Sequence, residues 1–142
     1  MSELRSSRHI SLLGRSAAAL ATIVPLTFAL ASAPTYTKGQ AENGRGIFAT
    51  KCAQCHGPAL EGGAGPTLVG PYFSAQWGDR TAGDLFLKIS TTMPLSAPGS
   101  LDRESYAALL AFILMSNSIP STDTPLPTDP SALGQMMIPA SQ

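Results

Sequence analysis

Cys52-Ala53-Gln54-Cys55-His56 gathers both cysteines of this 142-residue chain, and one of its two histidines, into five consecutive positions. Two thiols separated by two residues, with an imidazole next in line, form the pattern of covalent c-type haem attachment. Each thiol adds to one vinyl group of the haem, and the two-residue gap fits the distance between the vinyls. His56 then reaches the iron with a ring nitrogen as proximal ligand. Three other readings use the same residues. A disulfide between Cys52 and Cys55 is open to an exported protein, as in thioredoxin-like C-x-x-C sites, but those need βαβ units and no strand pattern is visible here. Zinc needs a fourth ligand, and no Cys or His follows His56. A chance match is the third.

The elements that must position these residues begin after a leader. Arg5, Arg8 and Arg15 precede a largely apolar run from Ala17 to Ala31, and Ala29, Ala31, Ser32 and Ala33 close it. This is the pattern of a secretory signal peptide. Cleavage after Ala31 is preferred over cleavage after Ala33, because Pro34 beside the scissile bond would hinder it. The expectation is a signal over residues 1–31 and a periplasmic protein with no membrane attachment after cleavage. An uncleaved anchor is the alternative, although the fifteen-residue run is short of the roughly 20 residues that span a bilayer. The whole chain has zero formal charge, with 13% charged residues. From Ser32 onward six Lys and Arg face eight Asp and Glu, a formal charge of −2, and His56 is the sole histidine. Neither balance supplies the basic face that nucleic acid requires.

Gln40–Lys51 carries Ala41, Gly44, Ile47 and Phe48 at helical spacing and reads as a first helix. Residues 57–77, with five glycines and three prolines, read as loop. Thr81 and Asp84 resemble a capping box that opens a short helix to about Ser90. Thr91–Gly99 reads as loop again. The clearest helix runs from about Asp102 to Asn117, with Asp102 as N-cap, Leu101 and Tyr106 as hydrophobic staple, and a stripe of Leu109, Leu110, Ile113 and Leu114. Five prolines beyond residue 119 rule out another long helix, so 121–142 reads as an irregular tail behind a domain spanning 38–120. The expected fold class is all-α: three main helices and long loops. A block of about eighty residues so rich in loops has a modest core and needs a staple, which the haem would provide.

Four motifs in order make the chain resemble the class I, single-haem cytochromes c of bacteria. They are Gly44-x-x-x-Phe48, C-x-x-C-H continuing as Gly57, Gly65-Pro66-Thr67-Leu68-Val69-Gly70, and Leu109-x-x-Phe112. The resemblance covers about Gly39 to Asn117. The stretch Thr92-Met93-Pro94 through Pro98-Gly99-Ser100-Leu101 is also similar to the small cytochromes and haem domains that serve quinone-cofactor dehydrogenases. The resemblance implies one covalent haem c wrapped by the fold. It also implies that the Pro66 carbonyl accepts a hydrogen bond from the second ring nitrogen of His56, and that Gly44 and Phe48 pack against Leu109 and Phe112. Trp77, Arg80 and Tyr72 are candidate donors to the haem propionates, with ordinary core packing as the other reading of Trp77.

The sixth ligand follows by elimination. One histidine after the leader excludes bis-histidine ligation within the chain, and thioether is the remaining axial donor. Met115 lies on the last helix, and Met136 and Met137 lie in the tail. Met93 sits in a loop, 37 residues from His56, braced by Pro94; core filling is its other reading. An iron held by His56 and Met93 has no open position, so electron transfer is expected and enzymatic catalysis is not. The expected role is a monomeric one-electron carrier between a dehydrogenase or quinol-oxidising complex and a terminal oxidase or another cytochrome. The alternatives are a dedicated haem subunit of one dehydrogenase, attached through the tail, and a haem enzyme or gas sensor with Met93 weakly bound. Three lysines make a basic docking ring unexpected. Pro94, Leu95, Ala97 and Pro98 suggest an apolar docking patch, transient association and modest salt dependence.

Overall fold

A computed structural model describes residues 31–140; the expected leader therefore lies outside the described residues, apart from Ala31. Six helices follow one another: α1 (Lys38–Lys51), α2 (Ala53–His56), α3 (Gly70–Trp77), α4 (Ala82–Thr92), α5 (Arg103–Ser116) and α6 (Pro130–Leu133). Among the described residues there are no strands, and two isolated bridges pair Ser32 with Met136 and Thr81 with Met137. None of these helices is long and apolar enough to cross a membrane. The architecture is all-α.

Each long helix begins where a side chain caps its free N–H groups. The Thr37 hydroxyl accepts from the Gln40 N–H and opens α1. Thr81 and Asp84 form a reciprocal capping box at α4, and Asp102 accepts from the Ser105 N–H at 2.6 Å to open α5. These cap bonds hold the Asp84 and Asp102 carboxyls below their ordinary range. What they add to stability is present at neutral pH and is lost as pH falls below the usual aspartate value.

Helix α5 is the centre of the core, buried without a break from Tyr106 to Leu114. Helix α1 crosses it at Gly44, where an added Cβ would fall on the backbone carbonyl of Ala108. Only a residue without a side chain permits that approach. The crossing brings the Phe48 and Phe112 rings to 5.3 Å between centroids, tilted by 56°.

Two segments differ from the sequence expectation. The stretch 57–77 is loop only to Val69, because α3 occupies Gly70–Trp77. Pro71 at its start has the backbone angle a first helical turn needs, and Phe73 and Trp77, four apart, face inward. Eight residues are too few for that period to stand out against five glycines. After Pro120 the backbone is irregular apart from α6, capped by Asp129, yet this segment is packed onto the domain. Leu126, Leu133 and Ile138 are buried. The Gln40 amide clasps both backbone groups of Leu126, at 3.0 and 2.8 Å, and the Tyr36 hydroxyl donates to the Ile119 carbonyl. Gly134 lies against Gly83 of α4.

Gly44 and Gly46 give opposite expectations. Gly44→Ala overpacks the crossing and should cost about 1–3 kcal/mol. Gly46 has open space around it, so Gly46→Ala should gain about 1 kcal/mol of helix propensity. Denaturant titration of the two variants checks both signs.

Candidate haem site

Helix α1 delivers the reactive residues. It ends at Lys51, and the chain turns directly into α2, a single turn holding Cys55 and His56. The Cys55 and His56 N–H groups both donate to the Cys52 carbonyl, so the turn fixes the spacing of the two thiols. Both cysteines are free; Cys52 is half-buried and Cys55 exposed. Burial, reinforced by the neighbouring Cys55, pushes the Cys52 thiol up to about 11, so it is protonated at neutral pH.

His56 is 9% exposed, the only buried side chain of ionisable type in the described core apart from tyrosines. Its Nδ1 lies 2.8 Å from the Pro66 carbonyl oxygen. That contact makes Nδ1 the protonated nitrogen and leaves Nε2 with its lone pair free for a metal. Gly65 stacks on the ring: a Cβ there would stand 2.8 Å from Cε1 and 2.9 Å from Nδ1. The Gly65 N–H also donates to the Cys55 carbonyl at 2.8 Å. The 57–69 loop is thus folded back on α2, with Gly65 as the residue that permits the approach.

These residues open onto a cavity of about 640 Å³, within the range of roughly 300–1,000 Å³ that holds an organic cofactor. Cys52, Cys55, His56, Pro66, Trp77 and Met93 line it. Its walls are otherwise chiefly apolar, with Phe73 from α3, Leu85 and Ile89 from α4, and Leu109 and Ile113 from α5. Of the four methionines after Ser32, Met93 alone lines it; Met115 and Met136 pack partly buried against the core instead. Tyr72 and Arg80 are not among the lining residues. Tyr72 is 50% exposed on α3, where Phe73 takes the inward position, and the Arg80 guanidinium sits over the Trp77 ring at 5.0 Å. In the sequence Gly65 stood only as the first residue of its motif, and the wall residues on α4 had no role at the site. Leu85 and Ile89, four apart and leading to Met93 four further on, were the available signal.

The donor set fits haem c. It offers two thiols at attachment spacing, one imidazole with a single free nitrogen, one thioether, and an apolar cavity of cofactor size. No group of three or more His, Cys, Asp or Glu side chains among the described residues could hold a bare metal ion. Helices and site together define a class I monohaem cytochrome c. Residues 39–113 match the model of the family described as "Cytochrome C oxidase, cbb3-type, subunit III", and the chain belongs to that family. A search of curated proteins returns no match. Among solved structures the chain is similar to a chain of the sulfane dehydrogenase SoxCD from Paracoccus pantotrophus. That likeness has a TM-score of 0.54 and 23% identity, and covers 89% of this chain and 68% of the other. At this identity it shows the fold alone.

The Gly65 contact sets an expectation. In Gly65→Ala the methyl group displaces the imidazole and weakens its bond to Pro66. If His56 is the iron ligand, it would then be a poorer donor, which would favour ferrous iron and raise the reduction potential. The expected rise is tens of millivolts, because about 1 kcal/mol of hydrogen bond corresponds to roughly 40 mV in a one-electron couple. Redox titration of the two proteins measures it.

Proposed function

We propose that this protein is a periplasmic one-electron carrier that holds a single covalent haem c between His56 and Met93. The observation that carries the reading is the lining of the 640 Å³ cavity, which unites Cys52, Cys55, the sole described histidine and one methionine out of four. Haem c supplies a ferric/ferrous couple when bound. Every other part of the function belongs to the chain's own side chains.

Cys52 and Cys55 hold the group by thioether bonds, so it does not dissociate when the iron changes charge. His56 donates through Nε2 while Pro66 fixes the ring. Met93 supplies a thioether sulfur, a weak donor that favours the ferrous state. Phe73, Leu85, Ile89, Leu109 and Ile113 exclude water, which further disfavours the extra charge of ferric iron. Were His56 and Met93 both to hold the iron, no position would be left for substrate, and the chemistry the group would supply is electron transfer alone.

The methionine loop is the docking face in this reading. Leu95 is 78% exposed, beside Met93 in the cavity wall. An apolar contact there supports brief association with a dehydrogenase, an oxidase or another cytochrome. Lys51 and Lys88 also line the cavity and no acidic residue does. Two exposed charges give a modest salt dependence. Leu126, Leu133 and Ile138 are spent on the chain's own core, which favours a free carrier over a subunit strapped to an enzyme by its tail.

Expression of the full chain with haem-maturation machinery tests the reading. The expected product has the mass of residues 32–142 plus one haem, purifies without a partner enzyme, and shows the weak near-infrared band of sulfur–iron ligation. Met93→Ala should abolish that band and open the iron to carbon monoxide. A band that persists in the variant would refute the Met93 assignment. A dehydrogenase that co-purifies would favour the subunit reading.

A further inference from the structure

The loop that presents Met93 is hydrogen-bonded to α5 through a single side-chain oxygen. Met93 closes α4, its N–H donating to the Ile89 carbonyl at 3.0 Å. From Leu95 to Ser100 every residue is exposed, so no apolar anchor joins this stretch to the core. Its fixed point is the Met93 carbonyl oxygen, which accepts from the Tyr106 hydroxyl at 2.7 Å and from the Gly99 N–H at 3.3 Å. The same hydroxyl accepts from the Leu101 N–H at 3.4 Å. One oxygen on α5 therefore touches both the first and the last residue of the loop.

Packing holds the loop only at its last residue, where Leu101 lies partly buried against the core. The Tyr106 ring is 2% exposed and stands edge-on to Phe86 at 6.5 Å, so the residue itself is closely packed. Tyr106 also borders a second pocket of about 340 Å³, bounded by Ser90, Gly99, Leu101 and Arg103 among others. At Gly99 the methionine loop therefore borders open space and not close-packed side chains.

We propose that Tyr106 is the positioning residue for Met93, its hydroxyl keeping the methionine loop closed so that the thioether stays in the haem cavity. The proposal rests on the His56 and Met93 ligation put forward above and assigns its control to a side chain on another helix. An external ligand competes only with the fraction of molecules whose Met93 has swung away, so its apparent affinity reports that fraction. Loss of one net hydrogen bond should raise the fraction on the order of fivefold.

Imidazole titration of the ferric holoprotein, followed at the near-infrared band, provides the test. Tyr106→Phe keeps the ring and removes the hydroxyl; imidazole should bind it about fivefold more tightly and bleach the band at correspondingly lower concentration. Leu133→Ala is the control, because it weakens the core away from the loop, and it should keep the affinity of the unaltered protein. Equal affinities for Tyr106→Phe and the unaltered protein would overturn the proposal, as would an equal gain in Leu133→Ala. A second measurement needs no variant. Amide hydrogen exchange at Gly99 and Leu101 should accelerate when imidazole saturates the unaltered holoprotein, while the α5 amides stay protected; unchanged exchange at Gly99 and Leu101 also overturns it. Absence of the band from the unaltered protein would overturn the ligand assignment and this proposal together.

Discussion

The approach of α1 to α5 at Gly44 sets the geometry on which the site depends. A carbonyl of one helix occupies the volume a side chain of the other would need, so the axes lie closer than ordinary side chains allow. Phe48 and Phe112 pack beside the crossing. Beyond Phe48, α1 runs straight into the turn that carries Cys52, Cys55 and His56, while Leu109 and Ile113 of α5 form part of the wall facing them. A wider crossing would move the attachment turn away from that wall. The two helices therefore act as a frame, and the long loops are bound to it by a few hydrogen bonds each.

Those loops follow a common plan. The 57–69 loop returns its Gly65 N–H to the Cys55 carbonyl and its Pro66 carbonyl to the His56 ring. The methionine loop returns to the Tyr106 hydroxyl. The tail returns to the Gln40 amide, to Tyr36 and to α4. In each case a backbone polar group of the loop meets a partner on or beside a helix, and the tail adds the burial of Leu126, Leu133 and Ile138 to these bonds. A domain of this size with a cavity at its centre has a small apolar core for its surface, and covalent attachment of a large apolar group would complete it.

Much of this was legible in the residues. The attachment turn was visible because its chemistry requires particular side chains at fixed spacing. Helices α4 and α5 were visible because their caps and apolar stripes are local patterns, and both caps are present as expected. Helix α3 was hidden because eight residues give the helical period barely two turns, beside a glycine-rich stretch that masks it. The packing of residues 119–138 was hidden for another reason: Leu126, Leu133 and Ile138 have no shared period, and each is buried by a different partner distant in sequence.

By itself the sequence determined the residue types available at the site, including Met93 as the candidate thioether, the all-α class and the capped starts of α4 and α5. These depend on residue types and on neighbours a few positions away, where spacing maps directly onto geometry. Only the tertiary structure decided that Gly65 packs on the His56 ring, that Tyr72 and Arg80 stand outside the wall, and that one tyrosine hydroxyl spans both ends of the methionine loop. Each of these is a contact between segments brought together by the α1–α5 crossing and the loops tied to it. Chain spacing carries no record of such meetings, since they are fixed by how the helices pack and not by how their residues are ordered.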